Sequence, residues 1–232
     1  MDRVISISAG LYHTLALKSD GSVIAWGAGG VGKIGYGDYG QSIVPADLGQ
    51  VIAISAGREH SLALRSDGTV VAWGRNQSGQ ADVPANLNGV TAIAAGGEHS
   101  LALRSNGETV VWGDNRFDQR IRPREITGVR SVKAGAAHSV ALKVNGTVIA
   151  WGQNDLGQTS VPAGLSNVID ISAGINHSLA LMADGTVRGW GKVWKSSADV
   201  PAVVPTNLET IVAIAAGGDH ALALKADGTV VG

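Results

Sequence analysis

The stretch AGREHSLALRSDGTVVAWG, residues 56–74, decides the fold, because the chain writes it again. Nearly the same line returns as AGGEHSLALRSNGETVVWG at 95–113, AGAAHSVALKVNGTVIAWG at 134–152 and AGINHSLALMADGTVRGWG at 173–191. All six histidines hold one position of this unit: His13, His60, His99, His138, His177 and His220, spaced 47, 39, 39, 39 and 43 residues apart. Thirteen residues after each of the first five stands a tryptophan: Trp26, Trp73, Trp112, Trp151 and Trp190. The first half of the unit is thus present six times and the second half five times. Internal repetition at a period near 40 is the mark of solenoids and propellers.

Each unit reads as four short strands. VIAISAG (51–57) alternates apolar and small residues, and HSLAL (60–64) follows as a second strand. Asp-Gly or Asn-Gly then gives a hairpin signal, at 20–21, 67–68, 106–107, 145–146, 184–185 and 227–228. TVVAWG is the third strand, a loop such as RNQSGQ (75–80) follows, and a Val-Pro step predicts a short fourth strand. Proline cannot donate to a ladder, which puts that strand at the sheet edge. No helical periodicity is present. The pattern predicts an all-β propeller with blades of four strands, six repeats of about 39 residues in one domain spanning 1–232, and an incomplete last blade. The repeated Trp is expected to wedge between neighbouring blades, since leaving it exposed forfeits too much apolar burial.

Composition bounds the functions. The chain has 232 residues, 44% hydrophobic, with a net charge of −1 and no Cys. A charge near zero argues against bulk electrostatic capture of nucleic acid or an anionic membrane. Without Cys there is neither a disulfide framework nor thiolate chemistry. The opening MDRVISISAG lacks the apolar core of a signal peptide, and no apolar run reaches membrane-spanning length. The reading is a cytoplasmic protein, or an extracellular one if the sequence is a trimmed piece.

The motif AGxxHSLAL–DGTVxAWG–GQ–VP resembles the regulator-of-chromosome-condensation repeat. The likeness covers essentially the whole chain. The short units, with GQTSVPAGLSNVIDISAG (157–174), are similar in style to the bacterial β-lactamase inhibitor proteins built from that repeat. The resemblance implies a propeller, usually of seven blades, that binds partners through loops on one face. It also implies regulators such as GTPase exchange factors and β-lactamase inhibitors as relatives. A scaffold of this kind hosts unrelated partners, so the fold alone assigns no function. Six units leave two alternatives, six blades in this chain or a seven-bladed parent; six is adopted.

Variation between copies points to one face. In an up-and-down blade the AGxxH loops and the third-to-fourth connections lie together, and the Asp-Gly turns lie opposite. Both long units gain their residues in the third-to-fourth connection, GAGGVGKIGYGDYGQSI (27–43) and GKVWKSSADVPAV (191–203). The five aromatics outside the repeat Trp set are Tyr12, Tyr36, Tyr39, Phe117 and Trp194, and all fall in loops of that face. Glu59, Glu98 and Asp219 sit in the AGxxH loops, and Arg116, Arg120, Arg122 and Arg124 cluster in one connection. The expected function is non-enzymatic binding of a protein partner through Tyr12, Tyr36, Tyr39, Phe117 and Trp194. Glu59, Glu98, Arg116, Arg120 and Asp219 would rim the patch. Self-association through the incomplete last blade is a further alternative.

Other chemistry is weaker. Six related histidines suggest a metal ring or a metal-dependent enzyme with acidic helpers, but propeller blades hold equivalent positions on the order of 10 Å apart. The expected role is structural: the ring ties the second strand to a neighbouring backbone. GAGGVG (27–32) precedes no helix pattern, so it is not a phosphate loop. No nucleophile elbow, Walker loop or HExxH is present, and no cofactor or metal is expected.

Overall fold

The computed structural model describes residues 3–30, 32, 37–123, 126–195, 198–202, 204–205, 208 and 210–232. Two units divide the chain, Met1–Asp114 and Asn115–Gly232. The first contains the sheets β1 (Val4–Ala9), β2 (His13–Lys18), β3 (Val23–Gly27); β4 (Val51–Ala56), β5 (His60–Arg65), β6 (Val70–Gly74); and β7 (Val90–Ala95), β8 (His99–Arg104), β9 (Thr109–Gly113). The second contains β10 (Val129–Ala134), β11 (His138–Lys143), β12 (Val148–Gly152); β13 (Val168–Ala173), β14 (His177–Met182), β15 (Val187–Lys195), β16 (Ala198–Pro201); and β17 (Ile211–Ala216), β18 (Ala221–Lys225), β19 (Val230–Val231). Every sheet is antiparallel and runs in chain order, so each is one blade. Among the described residues no helix is long and apolar enough to cross a membrane.

The strands form where the repeat places them, for local reasons. The glycine of each Asp-Gly or Asn-Gly turn has φ between 77 and 87°, a region a side chain resists. The Asp or Asn carboxyl or amide oxygen accepts the backbone N–H two residues on, as from Ser22 to Asp20 and from Thr69 to Asp67, each at 2.9 Å. Each first strand carries a register shift next to its first residue, as between Val51 and Ala53. The turn carbonyl then receives the start of the following blade: Val51 N–H donates to Gly21, and Val90 N–H to Gly68.

The expected fourth strand is found only in the fifth blade among the described residues, where β15 and β16 pair from Lys192↔Pro201 to Lys195↔Ala198. At Val44-Pro45, Val83-Pro84 and Val161-Pro162 the chain is irregular and leads into a turn, and among the described residues the other five blades have three strands. Proline and the tight turn before it leave too few free donors to extend the ladder.

Central strands are buried on both faces, so Ser61, Leu62, Ala63 and Leu64 are all inaccessible. The small residues make room for the repeat Trp: Ala63 packs with Trp73, Ala102 with Trp112 and Ala180 with Trp190. Each indole N–H donates to the main-chain carbonyl of a buried Gln in the preceding loop: Trp73 to Gln41, Trp112 to Gln80, Trp151 to Gln119 and Trp190 to Gln158, at 2.8–2.9 Å. An indole so buried contributes up to about 5 kcal/mol by area. Trp26 departs from the expected wedge and is 51% exposed, together with Val4, Ile5 and Ile7 of the same blade.

Candidate functional site

Within each blade the AGxxH loop and the exit from the third strand are joined by a backbone bond. Ala28 N–H donates to Tyr12, Arg75 to Glu59 and Asp114 to Glu98, all at 2.8 Å in the first unit. In the second unit Gln153 donates to Ala137 and Lys192 to Asn176, both at 2.9 Å. The two variable residues before each histidine therefore emerge at the same blade end as the third-to-fourth connection, and the Asp-Gly turns lie at the other.

In the first unit these loops assemble around a residue the sequence reading passed over, Arg75. Its guanidinium NH1 donates to Glu59 Oε2 at 2.8 Å and lies 3.0 Å from Glu98 Oε1. Its Nε and NH2 donate to Gln77 Oε1, and the cation stands 5.4 Å from the centroid of the Tyr39 ring. Ser78 Oγ donates to Glu98 Oε2 at 2.9 Å. Partial burial pulls the guanidinium down, but the Glu59 hydrogen bond and the two carboxylate charges hold its pKa above the usual arginine range. Glu59 is only 4% exposed, so it orients Arg75 rather than rimming a surface. A buried carboxylate is tolerated when such a partner is present.

Tyr12 and Tyr39 are 42% and 37% exposed beside this cluster. Gly37 lies against Tyr12: with φ at 85°, a Cβ there would sit 3.1 Å from the Tyr12 ring and 3.7 Å from Glu59 Oε1. The connection is held by buried Gln41, whose Oε1 accepts the Tyr39 N–H at 2.8 Å. Tyr36 lies outside the described residues, as does Arg124.

The second unit reuses the same loop. Phe117 N–H donates to Gln119 Oε1 at 2.8 Å, which places Phe117 at the repeat position of Tyr39, and its ring is 41% exposed. Asp118 takes a φ of 60° where Gly40, Gly79 and Gly157 stand in the other copies. Arg116 and Arg120, on either side of Phe117 in sequence, are exposed. Trp194, on the long strand β15, is 58% exposed. Its backbone N–H donates to Asp219 Oδ1 at 2.9 Å, so Asp219 ties the β15–β16 hairpin to the sixth blade.

The histidines are joints. His13 Nε2 shares a hydrogen bond with Ser61 Oγ at 2.9 Å, His60 with Ser100 at 3.0 Å and His138 with Ser178 at 2.9 Å. The partner is a side chain of the following blade, where the sequence reading expected backbone; the small serine beside Trp leaves the hydroxyl within reach. The same serines donate to Gln carbonyls, Ser61 to Gln41 and Ser100 to Gln80. Burial lowers His13 and His99 to about 4, and burial reinforced by the neighbouring His99 and His13 lowers His60 to about 3. The glycine before each loop accommodates the ring: a Cβ on Gly57 would lie 2.7 Å from His60 Nδ1 and 2.5 Å from the Gly96 carbonyl oxygen. Among the described residues no group of three or more His, Cys, Asp or Glu is placed to hold a metal ion.

Comparison with known proteins matches this geometry. A family model described as the Regulator of chromosome condensation (RCC1) repeat matches residues 4–33, 51–80, 90–119, 129–158, 168–192 and 211–232. A second model of the same description matches 20–64. No curated protein matches by sequence. Among solved structures, Prp20p from Saccharomyces cerevisiae, described with its binding properties to Gsp1p and histones, is 22% identical. That match covers 98% of this chain and 70% of the other, with a TM-score of 0.75. Human WBSCR16 is 23% identical over 97% of this chain and 72% of its own, with a TM-score of 0.73. The ectodomain of the Physcomitrella patens receptor kinase CR4 is 20% identical over 100% of this chain and 64% of its own, with a TM-score of 0.76.

Proposed function

We propose, on the premise that this chain belongs to the regulator of chromosome condensation (RCC1) repeat family and that its six sheets are blades of an all-β propeller of that type, that it is a non-catalytic module binding a protein partner. The contact surface is the loop end of the blades, opposite the Asp-Gly turns. The carrying observation is the first-unit cluster, where exposed Tyr39 stands over an Arg75 fixed by Glu59, Glu98 and Gln77, and exposed Tyr12 packs beside the same connection at Gly37. Aromatic and arginine side chains dominate the energetics of protein interfaces, and anchors already immobilised lose little entropy on binding. Phe117 and Trp194 offer the second unit's own anchors. The pairing of Prp20p with Gsp1p and histones is an instance of protein partners on this fold.

The test is capture from the native cell extract by wild-type chain, identification of the retained protein, and titration of that protein against variants. Tyr12→Ala with Tyr39→Ala should weaken it by at least about tenfold, the scale of an interface anchor. Thr69→Ala, at an Asp-Gly turn, should leave affinity unchanged. Equal affinity for all three chains would reject this face.

A further inference from the structure

The six hairpin turns are built alike, yet they differ in how firmly the residue before glycine is held. In each, the Asp or Asn side-chain oxygen accepts the backbone N–H two residues on, at 2.9–3.1 Å. In five turns a hydroxyl, from Ser22, Thr69, Thr147, Thr186 or Thr229, donates to the same oxygen at 2.6–2.7 Å. The sixth has Glu108 at that position, which accepts from Arg104 at 3.1 Å and supplies no hydroxyl. That turn is Asn106-Gly107, one of two in which the residue is an amide, the other being Asn145-Gly146.

The two amides also differ in their surroundings. Both side chains are exposed, but Gly146 is buried whereas Gly107 is only partly covered. The next blade's backbone lies on Gly146: a Cβ there would sit 3.2 Å from Asn167 Cα and 3.3 Å from Val168 N. An asparagine amide followed by glycine is open to attack, because no side chain keeps the glycine nitrogen from the amide carbon. Attack requires Asn Cγ to swing toward that nitrogen, which first breaks the hydrogen bonds that hold the side-chain oxygen. Asn106 has one such bond to break and Asn145 two.

We propose that Asn106 is a site of spontaneous deamidation in the folded protein, and that the matching turn at Asn145 is protected. The Gly107 nitrogen, giving its proton to base, bonds to Asn106 Cγ; the Cγ–Nδ2 bond breaks and ammonia leaves. Water then opens the resulting cyclic imide at either carbonyl, giving aspartate or isoaspartate. Water enters, ammonia departs, and the turn gains one negative charge close to Glu108. The isoaspartyl form also inserts an extra carbon into a turn closed by the Gly107 N–H on the Arg104 carbonyl at 2.9 Å. The site lies at the blade end opposite the loop surface proposed above and is independent of that reading.

The test incubates the folded chain in mildly alkaline buffer, digests it at intervals, and follows the amide-to-acid mass increase and isoaspartate in its peptides by mass spectrometry. A parallel incubation in urea, where the chain is unfolded, gives each site's intrinsic rate and removes the effect of its neighbours in sequence. Relative to that reference, Asn106 should react at least about threefold faster than Asn145, since one hydrogen bond is worth a factor of roughly 2 to 12. Glu108→Thr restores the hydroxyl of the other turns and should slow Asn106 by about threefold or more, whereas Glu108→Gln should leave its rate within about twofold. Should a variant fail to fold, the two wild-type sites decide alone. No conversion of Asn106 in the folded chain, equal or faster relative conversion at Asn145, or no slowing by folded Glu108→Thr overturns the proposal. Equal slowing by Glu108→Gln overturns it too, and gives the rate to the Glu108 charge.

Discussion

Mild acid should destabilise the first unit through its histidine joints. His13, His60 and His99 lie at about 4, 3 and 4 in the folded chain, against about 6.5 when unfolded. A base whose folded value is depressed binds its proton better in the unfolded chain. Its stabilisation is therefore complete above the unfolded value and is lost as pH falls below it, down to the folded value. At about pH 5.5 an unfolded histidine gains about 1.4 kcal/mol from protonation, or about 4 kcal/mol for the three. That figure needs only folded values below the assay pH. It is a large share of the roughly 5–15 kcal/mol that domains possess. Two turn carboxylates titrate outside this window: Asp20 and Asp67 are lowered by hydrogen bonds from the Ser22 and Thr69 hydroxyls, so their contribution fades only at more acidic pH. Urea unfolding followed by tryptophan fluorescence at about pH 7.5 and 5.5 measures the change. His60→Gln, which keeps a polar group near Ser100, should remove about a third of the pH dependence. A loss under about 1 kcal/mol, or a gain, would refute the neutral, buried state of the rings.

Three further outcomes follow from the packing. Trp112→Ala should cost about 3–5 kcal/mol in urea unfolding, whereas exposed Trp26→Ala should cost under about 1 kcal/mol, although both occupy the same repeat position. Gly57→Ala should destabilise by at least about 2 kcal/mol, because its methyl meets the His60 ring and the Gly96 carbonyl, and the deficit will show as a lowered melting temperature. Arg75→Ala strands the buried Glu59 carboxylate and should cost about 1–3 kcal/mol; adding Glu59→Gln should recover part of it, as a double-mutant cycle reads directly.

Much of the fold was legible because the repeat is punctuated by residues with narrow uses. Asp-Gly and Asn-Gly fixed the hairpins, and the recurring HSLAL line between the AGxxH loop and the turn fixed the central strands. The fourth strand was overread: Val-Pro marks an edge equally well when the edge is irregular, and among the described residues only the insertion at Lys192–Pro201 gives it a ladder. The exposed Trp26 was invisible, since repeat position reports a side chain's direction and not whether a blade covers it. At the loop end, Tyr12, Tyr39, Phe117 and Trp194 could be placed from connectivity alone. Arg75 could not be singled out, because its position after the Trp-Gly step holds a different residue in every copy. Its partners, Glu59 from one blade and Glu98 from the next, meet only in three dimensions. The buried Gln residues were read as motif, and their use as main-chain acceptors for Trp and Ser depends on a loop path that no periodicity encodes.

The joints carry an evolutionary consequence. His13 to Ser61 and His60 to Ser100 are the same bond written with different numbers, as are Trp73 to Gln41 and Trp112 to Gln80. Recombination that excises or duplicates a unit whose neighbours carry the same His, Ser, Trp and Gln, as at His60 and Ser100, regenerates these bonds at the new seam. Copy number can thus drift without a penalty in the interior, leaving selection free to act on the tips that differ.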